Sequence, residues 1–243
     1  MLDLKQKNAV IIGSSGAIGN ALVESISNSE DYYNVFALSR KSIKSESQNV
    51  YPHPIDLQSE KSIIKASEYV SKQGTIDLLI VATGMLSDSD IKPEKSLRDI
   101  SSEKFQKAFM INTIGPALIA KHFFPLLTKE SVSIAAILSA RVGSVSDNRL
   151  GGWYAYRASK AALNMIIKNS AIELTRRNKK SIIVGLHPGT VDSNLSKPFQ
   201  RGVPEGKLFT PNFAATRLMS VLFNLKADDT GKCFAWDGKV IPP

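Results

Sequence analysis

A doubly wound α/β domain with a mostly parallel sheet is what this sequence predicts. Short apolar runs rich in β-branched residues alternate with helical patterns along the chain. The first run, residues 8–12, leads through Gly13-Ser14-Ser15-Gly16-Ala17-Ile18-Gly19 into a helical pattern at Leu22, Val23 and Ile26. The length, 243 residues, suits one such domain with a large core.

Seven strands are expected, over residues 8–12, 34–38, 50–55, 77–82, 132–138, 181–186 and 232–236. Helices are expected after the first strand, near Glu60, and over 103–127, 154–177 and 211–224. The turn at Gly13 to Gly19 makes a seat for a cofactor pyrophosphate. Glycines let the backbone approach phosphates, and the helix N-terminus offers free N–H groups. Ser14, Ser15, Ala17 and Ile18 fall within that seat. The spacing runs through Gly13, Ala17 and Gly19, with Gly16 extra, and is not G-x-G-x-x-G; a plain flexible turn is the competing reading.

The second strand runs into Ser39-Arg40-Lys41, and Ser39 lies 20 residues after Gly19. NAD-binding units carry an acidic residue near that distance, for the ribose 2′-hydroxyl. A serine followed by two cations fits a 2′-phosphate better, which implies NADP(H). Asp56-Leu57 follows the third strand. Asp56 either accepts a hydrogen bond from the adenine amine or caps the helix beginning near Glu60. The fourth strand runs into Ala82-Thr83-Gly84, where a glycine suits close backbone approach to the nicotinamide-side ribose.

Four residues have the chemistry of a catalytic site. Tyr156 and Lys160 stand four apart, which stacks them on one helical face. A tyrosine is a poor acid or base at neutral pH, since its pKa is about 10. A nearby ammonium stabilises the phenolate, so the pair can give a proton to a carbonyl oxygen or take one from an alcohol. The spacing alone is common by chance, and its weight comes from its company. Ser139 ends the fifth strand and either orients a substrate oxygen or caps a turn. Pro116 has no N–H, so the carbonyl of Asn112 loses its helical partner and the helix must kink. That carbonyl is then free to hold a water of a proton relay, or the bend has no further purpose.

Pro188 and Gly189 turn the chain sharply after the sixth strand, with Val191 just beyond, where the backbone can contact the nicotinamide amide. Residues 190–210 hold Pro198, Gly202, Pro204 and Gly206, the composition of a mobile substrate flap. Together with residues 85–96 and 141–153 they are expected to line the substrate space.

Composition narrows the class. The formal charge of +9 is scattered, as in Lys41, Lys72 and Lys121, and no basic-groove motif accompanies it, so no nucleic-acid partner is expected. One cysteine, Cys233, excludes an intrachain disulfide and points to a reducing cytoplasm. Residues 1–7 are polar, with no signal peptide, and no apolar run reaches membrane-spanning length. The three histidines share no ligand spacing, so no metal is expected.

Gly13…Gly19, Asp56-Leu57, Ala82-Thr83-Gly84, Asn112, Ser139, Tyr156…Lys160 and Pro188-Gly189 come in an order that resembles the short-chain dehydrogenase/reductase family over essentially the whole chain. The stretches SARVGSVSDNRLGGWYAYRASKAALNM and LHPGTVDSNLS are similar to the subgroup near the cell–cell signalling C-factor proteins. The resemblance implies one NAD(P)-binding Rossmann domain over 1–243, with 190–210 as the flap. It implies an NADP(H)-dependent oxidoreductase that interconverts a small-molecule carbonyl and its alcohol by hydride transfer, working as a homodimer or homotetramer. Tyr156 would be the acid/base. Lys160 would lower its pKa and bind the nicotinamide ribose, Ser139 would orient the substrate oxygen, and Asn112 would support the relay. A non-catalytic dinucleotide-binding signalling protein is the alternative, and the intact set of four favours the enzyme. Two departures stand out: Ile12 replaces a usual Thr, and Ala82-Thr83-Gly84 replaces a usual Asn-Ala-Gly. Both bear on stability or cofactor affinity more than on the chemical step.

Overall fold

The computed structural model describes residues 7–87 and 91–243. Most of the polar N-terminal stretch, and residues 88–90 of the expected pocket lining, lie outside the described residues. The strands are β1 (Asn8–Ile12), β2 (Asn34–Ser39), β3 (Val50–Pro54), β4 (Leu78–Val81), β5 (Ser133–Leu138), β6 (Ser181–His187), β7 (Thr190–Val191), β8 (Leu208–Phe209), β9 (Cys233–Ala235) and β10 (Val240–Ile241). The helices are α1 (Ala17–Ser27), α2 (Glu60–Ser71), α3 (Ser102–Phe109), α4 (Gly115–Phe123), α5 (Tyr154–Thr175) and α6 (Pro211–Phe223).

Eight strands form the central sheet in the order β3-β2-β1-β4-β5-β6-β9-β10. All pair in parallel except β10, which runs antiparallel to β9. The order reverses between β1 and β4. In such a sheet a ligand usually sits at this reversal, beyond the carboxyl ends of the strands.

Each strand residue faces one side or the other. Val10 and Ile12 pack with α2, α4 and α5, among Ile63, Phe123, Leu163 and Ile167. Ala9 and Ile11 pack on the opposite layer with α1 and α6, among Leu22, Ile26, Leu218 and Leu222. A sheet covered on both faces explains why β1 is apolar at every position after Asn8 rather than at alternate ones. Each such side chain contributes about 1.5–3 kcal/mol when fully buried.

Three features differ from the sequence expectation, while β3 lies where it is expected. The sheet has an eighth strand, because Gly238, at φ 82°, turns the chain back so that Val240–Ile241 pairs with β9. The helix expected over 103–127 is divided into α3, a π-helical segment (Met110–Ile114) and α4. The Gly115 N–H reaches back to the Met110 carbonyl, and Pro116 falls in the first turn of α4, where a missing N–H costs nothing. The bend that Pro116 requires is thus a local widening of the helix. Pro52 and Pro54 lie in β3, a place open to proline because β3 is an edge strand. Residues 190–210 carry structure of their own: β7 and β8 pair at the neck, and a 3-10 segment, Lys197–Gly202, forms the tip.

Candidate active site

The site begins at the glycine turn after β1. Gly13 has φ +91°, and a Cβ there would lie 2.8 Å from the Ala82 carbonyl oxygen and 2.8 Å from Thr83 Cγ2. A Cβ on Gly19 would lie 2.1 Å from the Gly13 carbonyl oxygen. Both positions exclude any side chain, so the turn seats directly on the exit of β4 and on the first turn of α1. The Gly13 and Ser14 N–H groups both donate to the Leu38 carbonyl, at 2.7 and 3.2 Å, which ties the turn to β2.

Gly16 is the N-cap of α1. No side chain caps this helix and its first turn carries no acid. The Gly16 N–H donates to the Gly13 carbonyl at 3.0 Å, and the N–H groups that follow it have no side-chain acceptor, with Ala17 and Ile18 half-buried. Thr83 Oγ1 is buried beside this turn with no hydrogen-bond partner. An uncapped helix start, a cradle only glycine fits and an orphaned hydroxyl suit an anionic dinucleotide.

At the end of β2 the hydroxyls are already committed. Ser14, fully buried, donates to Ser39 Oγ at 3.1 Å, and Ser39 donates to the Lys41 carbonyl at 2.5 Å. Arg40 and Lys41 are exposed, and neither forms an ion pair among the described residues. Asp56 does not cap α2. Ser59 does, accepting from the Ser62 N–H at 3.3 Å, while Asp56 Oδ1 accepts from the Gln58 N–H at 3.0 Å. Three residues of separation put Ser59, not Asp56, in reach of the helix start. Leu57 belongs to the core beneath.

α5 is launched by unusual backbone. Gly151, Gly152 and Trp153 have φ of 63°, 65° and 50°, all left-handed. For tryptophan this costs about 1–2 kcal/mol. The Trp153 N–H donates to the Glu94 carbonyl at 2.6 Å, and the buried Glu94 carboxylate accepts from the Ala155 N–H at 3.2 Å. A carboxylate at a helix N-terminus also meets the positive end of the helix dipole. The result places the Trp153 ring 6.3 Å from that of Tyr156 and 5.2 Å from that of Phe199 in the flap.

Tyr156 and Lys160 do lie together, as their spacing requires. Lys160 is 2% exposed, and its Nζ donates to the Leu138 carbonyl at 2.8 Å and lies 6.0 Å from the Tyr156 ring centre. No described group hydrogen-bonds the Tyr156 hydroxyl. Burial pushes Tyr156 up to about 12 and Lys160 down to about 7. The expected lowering of the tyrosine by the lysine is therefore reversed among the protein's own groups. Desolvation disfavours both charged forms, and it outweighs an ammonium turned towards a backbone carbonyl.

The lysine makes stability depend on pH. Its ordinary value is 10.5, and burial lowers it to about 7. Between those two pH values the unfolded chain holds a proton that the folded chain has released, so stability rises with pH through that window and is lowest below it. Lys160→Met should therefore raise the melting temperature more at pH about 6 than at pH about 10. Equal gains at both, by scanning calorimetry, would contradict a neutralised buried lysine.

Asn112 is fully buried, and its amide clamps the Met85 backbone in both directions at 2.8 Å while also donating to Ser159 Oγ at 3.1 Å. Its side chain holds the exit of β4 rather than touching Lys160. A Cβ on Gly84 would lie 3.6 Å from Lys160 Nζ and 3.8 Å from Asn112 Oδ1, so bare backbone borders both. Ser139, 6% exposed, donates to Asn164 Oδ1 at 2.6 Å. Pro188 is buried, and Gly189 turns at φ +79° against the Phe209 ring. Val191 is buried in β7, and its carbonyl accepts from Ser196 Oγ at 2.5 Å. Gln200 donates to Asp192 at 2.8 Å, which ties the flap tip to its neck. The sequence places Glu94 and Trp153 only within the expected pocket lining, at 85–96 and 141–153, and does not single out Asn164. Asn164 did carry a signal, two helical turns past Tyr156.

The sequence profile of the short-chain dehydrogenase family matches residues 7–203. The chain belongs to this family. As a short-chain dehydrogenase it is an oxidoreductase, and its relatives agree. It is 29% identical to an uncharacterized oxidoreductase of Schizosaccharomyces pombe, over 96% of each chain. It is 31% identical to the C-signal of Myxococcus xanthus over 147 residues, which covers 60% of this chain and 83% of that protein. Among solved structures, an NADPH-bound carbonyl reductase from chicken fatty liver superposes with a TM-score of 0.82 at 23% identity, covering 98% of this chain and 99% of that one. That likeness is one of fold. Among the described residues no helix is long and apolar enough to cross a membrane.

Proposed function

We propose that this short-chain dehydrogenase interconverts a small-molecule carbonyl and its alcohol with NADP(H), and that Tyr156 moves the proton. The observation that carries the reading is Tyr156, whose hydroxyl bonds no described group, one helical turn from the buried Lys160, whose Nζ lies at the exits of β4 and β5. The glycine turn and the start of α1 would hold the pyrophosphate, and Gly84 and Lys160 would border the nicotinamide-side ribose. The turn at Pro188 and Gly189, with Val191, would face the amide. When bound, the nicotinamide supplies or takes up the hydride. Asp56 keeps one carboxylate oxygen for the adenine amine, since the other accepts from Gln58.

The chain's own residues divide the proton work. Tyr156, pushed up to about 12, holds its proton at neutral pH and can give it to a carbonyl oxygen. Lys160, near half-charged at neutral pH, can exchange a proton with its surroundings. A water on the Asn112 carbonyl, at the π-helical segment, would continue that path to solvent. Ser139 orients the reacting oxygen, and Trp153 with Phe199 walls the substrate space against water. The chicken carbonyl reductase of the same fold is itself bound to NADPH.

Similarity to the C-signal keeps a signalling reading alive, and one experiment separates the two. Purified protein is mixed with NADPH and a panel of ketones and aldehydes, and absorbance of the reduced nicotinamide is followed. Consumption with at least one carbonyl is expected. Tight NADPH binding with no consumption across the panel would remove the enzyme reading and leave the signalling one.

A further inference from the structure

α5 presents a third polar residue on the stripe that holds Tyr156 and Lys160. Asn164 lies one turn beyond Lys160 and two beyond Tyr156, on the same face. Successive residues at the end of β5 meet successive turns of this helix. The Leu138 carbonyl accepts from Lys160 Nζ at 2.8 Å, and Ser139 Oγ donates to Asn164 Oδ1 at 2.6 Å.

The amide's orientation is determined by its neighbours. Its oxygen also accepts from Cys233 Sγ, at 3.3 Å, and its nitrogen donates to the Gly143 carbonyl at 3.4 Å. Reversed, it would set an oxygen against the Gly143 carbonyl, two acceptors with no hydrogen between them. Gly143 is pressed against the helix: a Cβ there would lie 2.8 Å from the Lys160 carbonyl carbon. Burial pushes the Cys233 thiol up to about 11, so it keeps its hydrogen for the amide oxygen.

A serine hydroxyl has a single hydrogen. Given to Asn164, it leaves only the oxygen's lone pairs for a second partner. When the hydroxyl turns to donate to a substrate oxygen, the Asn164 oxygen still has the Cys233 thiol, so no buried acceptor is orphaned. We propose that Asn164 is a positioning residue that acts on the substrate through Ser139, fixing the place of its Oγ while the Cys233 thiol leaves the hydroxyl free to turn its hydrogen to the substrate. This rests on the reading of Ser139 given under Proposed function.

A double-mutant cycle tests it, with turnover and KM measured on NADPH and a carbonyl from the panel, and with NADPH binding and melting temperature as controls. Ser139→Ala should lower kcat by ~10²-fold, the scale of one lost donor at a reacting oxygen. Asn164→Leu, of similar volume, should lower kcat by about 10-fold with NADPH affinity unchanged. The double variant should match Ser139→Ala alone within about twofold, because Asn164 has no other route to the substrate. Asn164→Asp keeps an acceptor for Ser139 but must hold a proton to face the Gly143 carbonyl, so it should recover activity that Asn164→Leu loses at low pH more than at high pH. If Asn164→Leu does not fold, Asn164→Ala takes its place in the cycle. Losses that multiply to ~10³-fold would overturn the coupling while leaving Ser139 its role. So would an Asn164→Asp enzyme no better than Asn164→Leu at any pH. Unchanged turnover in Ser139→Ala would overturn both readings together.

Discussion

Tyr156→Phe should lower turnover by at least ~10²-fold while NADPH still binds, the scale of a lost general acid. The structure makes this substitution clean. No described group bonds the Tyr156 hydroxyl, so its loss orphans nothing. The ring itself is retained, and with it the contacts to Trp153 at 6.3 Å and Phe199 beyond. Burial already favours the neutral hydroxyl, so melting should move little. The remaining activity should also lose its dependence on a group that titrates at high pH. Stopped-flow and equilibrium titration separate the two steps. Turnover retained within a few-fold would remove Tyr156 from the chemistry, and lost NADPH binding would make its role structural.

What the sequence shows and hides follows from physical range. The runs 9–12 in β1, 78–81 in β4 and 182–186 in β6 are legible because a strand buried on both faces shows no polar alternation. The stacking of Tyr156 on Lys160 is legible because it is local to one helix. β10 is not, since two residues show no period and its pairing depends on the turn at Gly238. Glu94 is hidden because the N–H it accepts from lies 61 residues away. Its glutamate reads as ordinary surface charge until the fold brings it under α5. Trp153 is hidden for a different reason. A left-handed tryptophan contradicts its own backbone preference, and only the surrounding bonds hold it there. Asn112 was found, but its function was read from the backbone bend, whereas the side chain works as a clamp on Met85.

On the NADP(H) reading proposed above, Arg40 decides between NADPH and NADH. The two cofactors differ at the ribose 2′ position, where NADP carries a phosphate dianion. A site for NAD sets a carboxylate there, and no Asp or Glu lies between Val35 and Ile43. Ser39 looked free to donate to that phosphate. In the folded protein its hydrogen goes to the Lys41 carbonyl and its oxygen accepts from Ser14. Donation to a phosphate would break the first of these bonds, so Ser39 adds little net affinity. Arg40 is exposed, with no ion pair among the described residues, and its planar fork suits phosphate. A charge-assisted bond contributes about 1.5–3 kcal/mol, or roughly 10- to 100-fold in affinity. Exposure moves this towards the lower value and makes it fall as salt rises. Arg40→Ala should therefore weaken NADPH binding about 10-fold at low salt and leave NADH binding unchanged. Lys41→Ala, which removes a less directed charge, should do less. Adding Ser39→Asp to Arg40→Ala should invert the preference, because a carboxylate accepts from the ribose hydroxyls and repels the phosphate. Fluorescence titration of the unmodified protein decides the matter: NADH bound as tightly as NADPH at low salt would refute the assignment.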